Sequence, residues 1–98
     1  MTHDTLGSVV DELTDIIAKR AVADPQDSYT AKLLHGDLDY LLKKIGEEAT
    51  EVVMAAKDSD PAHVCYEAVD LLYHLLVATE RLGVSPDELA LEIKGRFK

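Results

Sequence analysis

Apolar residues recur with a helical period of about 3.6 along two stretches, 38–57 and 61–82, and each is closed at both ends by helix punctuation. No other feature narrows the fold as much. Asp37 and Asp60 stand where N-caps belong. Pro61 occupies the first helical position, where its missing N–H does no harm, and Gly83 stops the second stretch.

The remaining segments read the same way. Leu6, Val9, Val10, Leu13, Ile16 and Ile17 carry helical spacing through 4–21, and Asp24-Pro25 ends that helix, because a residue before proline avoids helical dihedrals. Ser28 caps a short helical turn through Leu34, after which Gly36 offers a left-handed exit and Asp37 a fresh cap. Ser85-Pro86-Asp87-Glu88 is a capping box with proline inside it, opening a last helix over 86–96. No strand-like alternation and no internal repeat interrupts this pattern. The expectation is an all-α, four-helix, bundle-like single domain over residues 1–98. At 47% apolar residues the chain can build a real but small core, and it has no room for a second domain.

Taking about 100° per residue and Ile45 as zero, Leu38, Leu41, Leu42, Ala49, Val52, Val53 and Ala56 fall in a band from roughly −40° to roughly +80°. This band is the expected buried stripe of the first long helix. On the second, with Ala68 as zero, Val64, Cys65, Leu72, Leu75 and Leu82 form the expected stripe, so Cys65, the only cysteine, reads as a buried small hydrophobe. Tyr73 and Val77 lie on the far side of the same helix, which is therefore apolar nearly all round. A helix of that kind in so short a chain calls for cover from outside, and the expectation is a homodimer that completes the bundle.

Carboxylates flank both stripes. Glu48 lies at about −60° and Glu51 at about −120° on one edge of the first helix, with Lys44 between them and Glu47 farther round at about −160°. On the second helix Glu67 lies at about −100° and His74 at about −120°, with Asp70 on the same side about 60° beyond Glu67. Packed together, the two helices bring these acidic edges to one crevice, where several carboxylates repel unless a cation joins them. Oxygen donors without a cysteine pair or an HxxxH motif suit Mg²⁺ or Mn²⁺ better than Zn²⁺.

Composition excludes other partners. A formal charge of −9 argues against nucleic acid and against anionic membrane surfaces, and for an anionic substrate it requires a mediating metal. No basic, apolar signal segment opens the chain and no apolar run approaches the roughly 20 residues needed to cross a bilayer. A soluble, cytoplasmic protein is expected.

The pattern E-E-x-x-E at 47–51 followed by E-x-x-D at 67–70 resembles the signature of the all-α nucleoside triphosphate pyrophosphohydrolases, the MazG-like superfamily. Within it, S-Y-T-A-K-L-L at 28–34, K-K-I-G-E-E-A at 43–49 and E-A-V-D-L-L-Y-H-L-L-V at 67–77 resemble the phosphoribosyl-ATP pyrophosphohydrolase family, the second enzyme of histidine biosynthesis. The likeness runs from about Leu6 to Arg96. Val69 stands where E-x-A-D would have alanine, a departure that touches packing more than chemistry. The resemblance implies Mg²⁺-dependent hydrolysis of phosphoribosyl-ATP to phosphoribosyl-AMP and pyrophosphate.

It carries over the acids Glu47, Glu48, Glu51, Glu67 and Asp70, and the helix angles divide the roles among them. Glu48, Glu51, Glu67 and Asp70 are expected to ligate Mg²⁺, and Glu47 to orient or deprotonate the attacking water. Arg20, Tyr29 and Lys32 belong to the segment most peculiar to the family and are expected to shape the pocket for the phosphoribosyl-adenine end. Lys44 either holds a phosphate or pairs with Glu48. His74 either ligates, or donates to a carboxylate, or is a structural histidine at a helix interface; Tyr66 and Tyr73 read as interface packing with wet hydroxyls. Two rivals stay open at this stage: a housekeeping pyrophosphatase acting on dUTP or damaged nucleotides, and a helical dimer that binds metal or protein without catalysis.

Overall fold

The computed structural model describes residues 3–98, and among them every regular element is helical. Helix α1 spans Leu6–Lys19 and runs into a 3₁₀ turn at Arg20–Val22; α2 spans Tyr29–His35, α3 Leu38–Lys57, α4 Pro61–Arg81 and α5 Pro86–Gly95. The segment expected as one helical turn is thus a full helix, and the α-helices among the described residues number five.

The caps act as their side chains require. Thr5 and Ser8 close a capping box on α1, and Ser28 Oγ accepts from Ala31 N at 3.1 Å to start α2. Asp37 and Asp60 accept from Asp39 N and His63 N to start α3 and α4, and Ser85 with Glu88 boxes α5. Gly83 leaves α4 at φ 81, the left-handed exit that a glycine makes without a Cβ penalty. Gly36 differs from expectation: its backbone is extended, at φ −81 and ψ −156. Glycine is needed there for space, since a Cβ would stand 2.7 Å from the Lys32 carbonyl oxygen.

A turn of three residues joins α3 to α4, so the two run antiparallel, and they form the most extensive helix pair in the chain. Ile17 of α1, Leu33 and Leu34 of α2, Leu41 of α3, and Leu76 and Val77 of α4 meet in the core. Arg81 ties α4 to α2 by donating from Nη1 to the Leu33 carbonyl at 2.8 Å.

The packed faces are rotated from the expected stripes. On α3 the buried residues are Leu41, Glu48 and Ala55, centred at about −60° and thus on Glu48. On α4, Glu67, His74 and Ala78 are buried around about −100°, Leu76 and Val77 are buried on other sides of the helix at about +80° and about 180°, and Ala68, the expected centre, is exposed. Leu42, Val53 and Ala56 of α3, and Cys65, Leu75 and Leu82 of α4, expected inside, lie exposed. Periodicity finds the most apolar direction of a helix. It does not say which direction the chain's own partner occupies. Here the carboxylate-bearing edges turn toward the contact between α3 and α4; Leu38, Leu41, Ile45 and Leu72 of the expected stripes still reach the core, and the stripe edges with Leu42, Val53, Leu75 and Leu82 face outward. In an antiparallel pair the senses of rotation mirror each other, so the α3 stripe at about +70° and the α4 stripe at about −30° look out of the same side.

Candidate metal and phosphate site

Rotation onto the acidic edges brings Glu48 of α3 opposite Asp70 and His74 of α4. Single ligand atoms from the three lie within 4.8 Å of one another. Glu48 and His74 are 6% and 3% exposed, so the cluster sits inside the helix pair, and Asp70, half-buried, opens it to the surface.

Two carboxyl groups in such a place cannot both ionise cheaply. Burial pushes the Glu48 carboxyl above its ordinary 4.5, and its hydrogen bond with Asp70 and the Asp70 charge push the same way. Lys44 opposes them: its Nζ lies 3.3 Å from Glu48 Oε1, and that pairing in turn raises the lysine. Burial and Asp70 outweigh the lysine, since the net direction for Glu48 is upward.

This shift has a sign in stability. A carboxyl whose folded pKa is raised contributes most below the unfolded value and loses that contribution as pH rises through the folded value. Glu48→Gln removes the ionisation. With a chelator present, the variant's melting temperature is expected to gain on that of the wild type as pH rises above about 4.5. A gap that stays constant from acid to neutral pH would show that Glu48 is not strained by its neighbours.

His74 is fixed from both sides. Its Nδ1 lies 2.8 Å from the Asp70 carbonyl oxygen, which can only accept, so Nδ1 carries a hydrogen and donates it. In the neutral ring Nε2 then accepts from the Tyr29 hydroxyl at 3.2 Å. Tyr29, the first residue of α2, stacks on Tyr73 with centroids 6.4 Å apart, and burial and the Tyr40 hydroxyl push its own hydroxyl upward in pKa. The Tyr73 hydroxyl bonds Thr30 Oγ1 and so is not left to water. The N-terminus of α2 is thereby pinned against the α4 turn that carries Asp70. Tyr40 and Thr30 had no assigned role in the sequence, and Tyr73 was expected as interface packing with a wet hydroxyl; only the docking of α2 against α3 and α4 brings the three here.

The other expected site residues are placed as follows. Glu67 is buried one turn before Asp70, with His63 Nε2 3.6 Å from its Oε1. Glu47 and Glu51 are exposed on α3 outside the three-residue cluster, as are Lys32 on α2 and Arg20 in the 3₁₀ turn. The structure therefore joins Glu48, Asp70, His74, Lys44 and Tyr29, and keeps the rest at its margins.

No helix among the described residues is long and apolar enough to cross a membrane. The family model for phosphoribosyl-ATP pyrophosphohydrolase matches residues 10–97. A phosphoribosyl-ATP pyrophosphatase of Trichlorobacter lovleyi is 46% identical over 89 residues, covering 91% of this chain and 82% of the relative. One from Dechloromonas aromatica is 41% identical over 95 residues, covering 97% and 84%. A histidine biosynthesis bifunctional protein, HisIE, of Thermus thermophilus is 47% identical over 93 residues, and there the chain spans 44% of the relative's length. A family match over residues 10–97, with relatives 41–46% identical over more than nine-tenths of the chain, shows that this hydrolase belongs to the phosphoribosyl-ATP pyrophosphohydrolase family.

Proposed function

We propose that the protein hydrolyses phosphoribosyl-ATP between its α and β phosphates, releasing phosphoribosyl-AMP and pyrophosphate, in a Mg²⁺-dependent second step of histidine biosynthesis. The observation that carries the reading is the meeting of Glu48 and Asp70 across the α3–α4 pair, which leaves Glu48 with a raised pKa in the absence of a cation. Two hard oxygen donors with excess negative charge fit Mg²⁺. Glu48 and Asp70 would hold it, with Glu67 and Glu51 next along the two helices. Bound there, Mg²⁺ supplies Lewis-acid neutralisation of the non-bridging phosphate oxygens.

The chain's own groups do the rest. Lys44, paired with Glu48 before substrate arrives, has further N–H donors for a phosphate. Glu47, exposed on α3 one residue before Glu48, accepts a hydrogen bond from the attacking water and takes its proton as the water oxygen bonds one phosphorus of the α–β bridge and the bridging oxygen leaves with the other phosphate and the bond's electron pair. His74, with Nδ1–H committed to the Asp70 carbonyl, orients the α4 turn in this reading. Tyr29, Lys32 and Arg20 are assigned in this reading to shaping the pocket around the phosphoribosyl-adenine end, with Tyr29 stacked on Tyr73.

The reading is tested by pyrophosphate release from phosphoribosyl-ATP, dUTP and ATP, each with Mg²⁺ and with a chelator. Release from phosphoribosyl-ATP well ahead of the other two, and abolished by the chelator, is the expected result. Preference for dUTP would transfer the protein to a housekeeping role, and no release at all would leave a binding module.

The outward stripes support a homodimer as the working form. Leu42 (45% exposed) and Val53 (57%) of α3, with Leu75 (41%) and Leu82 (58%) of α4, make an apolar face on one side of the helix pair. A second copy presenting the same face covers both at once. Leu75→Glu places a charge in that face without burying it in the chain itself. The variant is expected to keep its helicity and run at the 10.8 kDa chain mass, while the wild type sediments as a dimer. Equal masses for both proteins would remove this face as the interface.

A further inference from the structure

A groove of about 510 Å³ lies between α1 and α4, lined by Leu13, Cys65, Tyr66, Val69, Asp70 and Tyr73. We propose that it seats the nucleobase of a nucleotide whose phosphates lie at the Glu48–Asp70 cluster. The inference rests on the proposed function and adds to it the place of the adenine ring, which lies between the two phosphorylated parts of that substrate.

Asp70 is the hinge of the argument, because it belongs both to the carboxylate cluster and to the groove wall. A molecule held by its phosphates beside Asp70 has this groove directly within reach. Among the described residues, no charged side chain besides Asp70 lines it, and no cation does. The groove therefore offers no counter-charge to a phosphate, while a flat ring finds apolar walls in it. The volume is that of ordinary small-molecule sites, about 300–1,000 Å³, and two tyrosines offer faces for stacking.

One of those faces is held in advance. Tyr73 meets His74 edge-on at 5.0 Å between centroids, stacks with Tyr29 and bonds Thr30 through its hydroxyl. Its ring is thus oriented before any base arrives, which lowers the entropy lost on binding. Tyr66 stands opposite in character, 69% exposed at the groove edge. A second copy of the chain is the obvious competitor for apolar surface, yet it has another face to cover. Leu75 lies at about −20° and Leu82 at about −40° on α4, whereas Cys65, Tyr66, Val69 and Tyr73 lie between about +60° and about +160°. Dimerisation through the first face leaves the second open.

Cys65, the only cysteine and exposed, reports on the groove directly. Its alkylation by iodoacetamide is measured in the full-length protein alone, with Mg²⁺ and α,β-methylene-ATP, and with Mg²⁺ and inorganic pyrophosphate. The analogue is expected to slow alkylation about tenfold once nine sites in ten are filled, and pyrophosphate to leave the rate unchanged. Equal protection by pyrophosphate, no protection by the analogue, or a thiol unreactive from the start would each overturn the proposal. Val69→Trp, at an exposed position, fills the groove with little risk to the fold. It is expected to weaken analogue binding about tenfold or more and to spare pyrophosphate binding; unchanged analogue binding would equally defeat the idea. The two readings fail separately. Pyrophosphate release from phosphoribosyl-ATP without thiol protection removes the groove and leaves the activity, and protection without release does the reverse.

Discussion

Asp70→Asn is expected to cut pyrophosphate release by on the order of 10²–10³-fold, the loss of roughly 3–4 kcal/mol of transition-state stabilisation at a metal-bound phosphoanhydride. The folded protein should survive the change. In the metal-free state Asp70 is one of the causes of the upward shift in Glu48, so neutralising it relieves a repulsion, and the melting temperature is expected to hold or rise. Activity and stability then move in opposite directions. Adding Mg²⁺ sharpens the contrast: it should raise the melting temperature of the wild type by ligand linkage and raise that of the variant much less. A variant that keeps wild-type turnover, or that loses activity together with its fold, would remove Asp70 from the site as drawn. Calorimetry with and without Mg²⁺, alongside a pyrophosphate assay, reads both quantities.

Leu41→Ala is expected to have the largest effect on stability, about 2–5 kcal/mol, because Leu41 is fully buried where α3 meets the core and its removal leaves a cavity as well as lost transfer energy. For a chain of 98 residues a loss of about 3 kcal/mol corresponds to a fall in melting temperature on the order of 10–25 °C. Leu42 beside it is 45% exposed, and its truncation is expected to stay within about 0.5 kcal/mol for the chain's own fold. Melts of the two variants in the Leu75→Glu background, which takes association out of the comparison, separate them. Similar losses at both positions would mean that α3 is packed in the orientation its apolar stripe suggests and not the one observed.

That pair of neighbours shows where sequence patterning stopped being informative. Leu41 and Leu42 are chemically identical, and both fall within the apolar band of α3. Only the docking of α4 distinguishes them. The carboxylates show the same limit from the other side. Glu48 and Glu51 share one edge of α3 by spacing, yet Glu48 is enclosed with Asp70 and His74 and Glu51 remains exposed. Cys65 fails for a related reason: its position on an apolar stripe suggested burial, and while Leu72 of that stripe packs against the core, Cys65 lies exposed near the start of α4.

The helices, by contrast, were written locally. Asp37, Asp60 and Ser85 cap what their hydroxyl or carboxylate oxygens can reach within three residues, Pro61 and Pro86 sit where a missing N–H is harmless, and Gly83 takes a positive φ. These are interactions within one turn, so the residues themselves decide them, and helix order and most boundaries followed from the chain alone. The acidic motif was legible for the same reason, since i, i+3 spacing places side chains on one edge of a helix whatever the helix touches. Which edge became the contact between α3 and α4, and with it the raised Glu48, the pinned His74 and the open groove beside Asp70, was settled by tertiary packing. A long helix with apolar surface nearly all round has several faces it can bury, and the choice among them depends on every other helix at once.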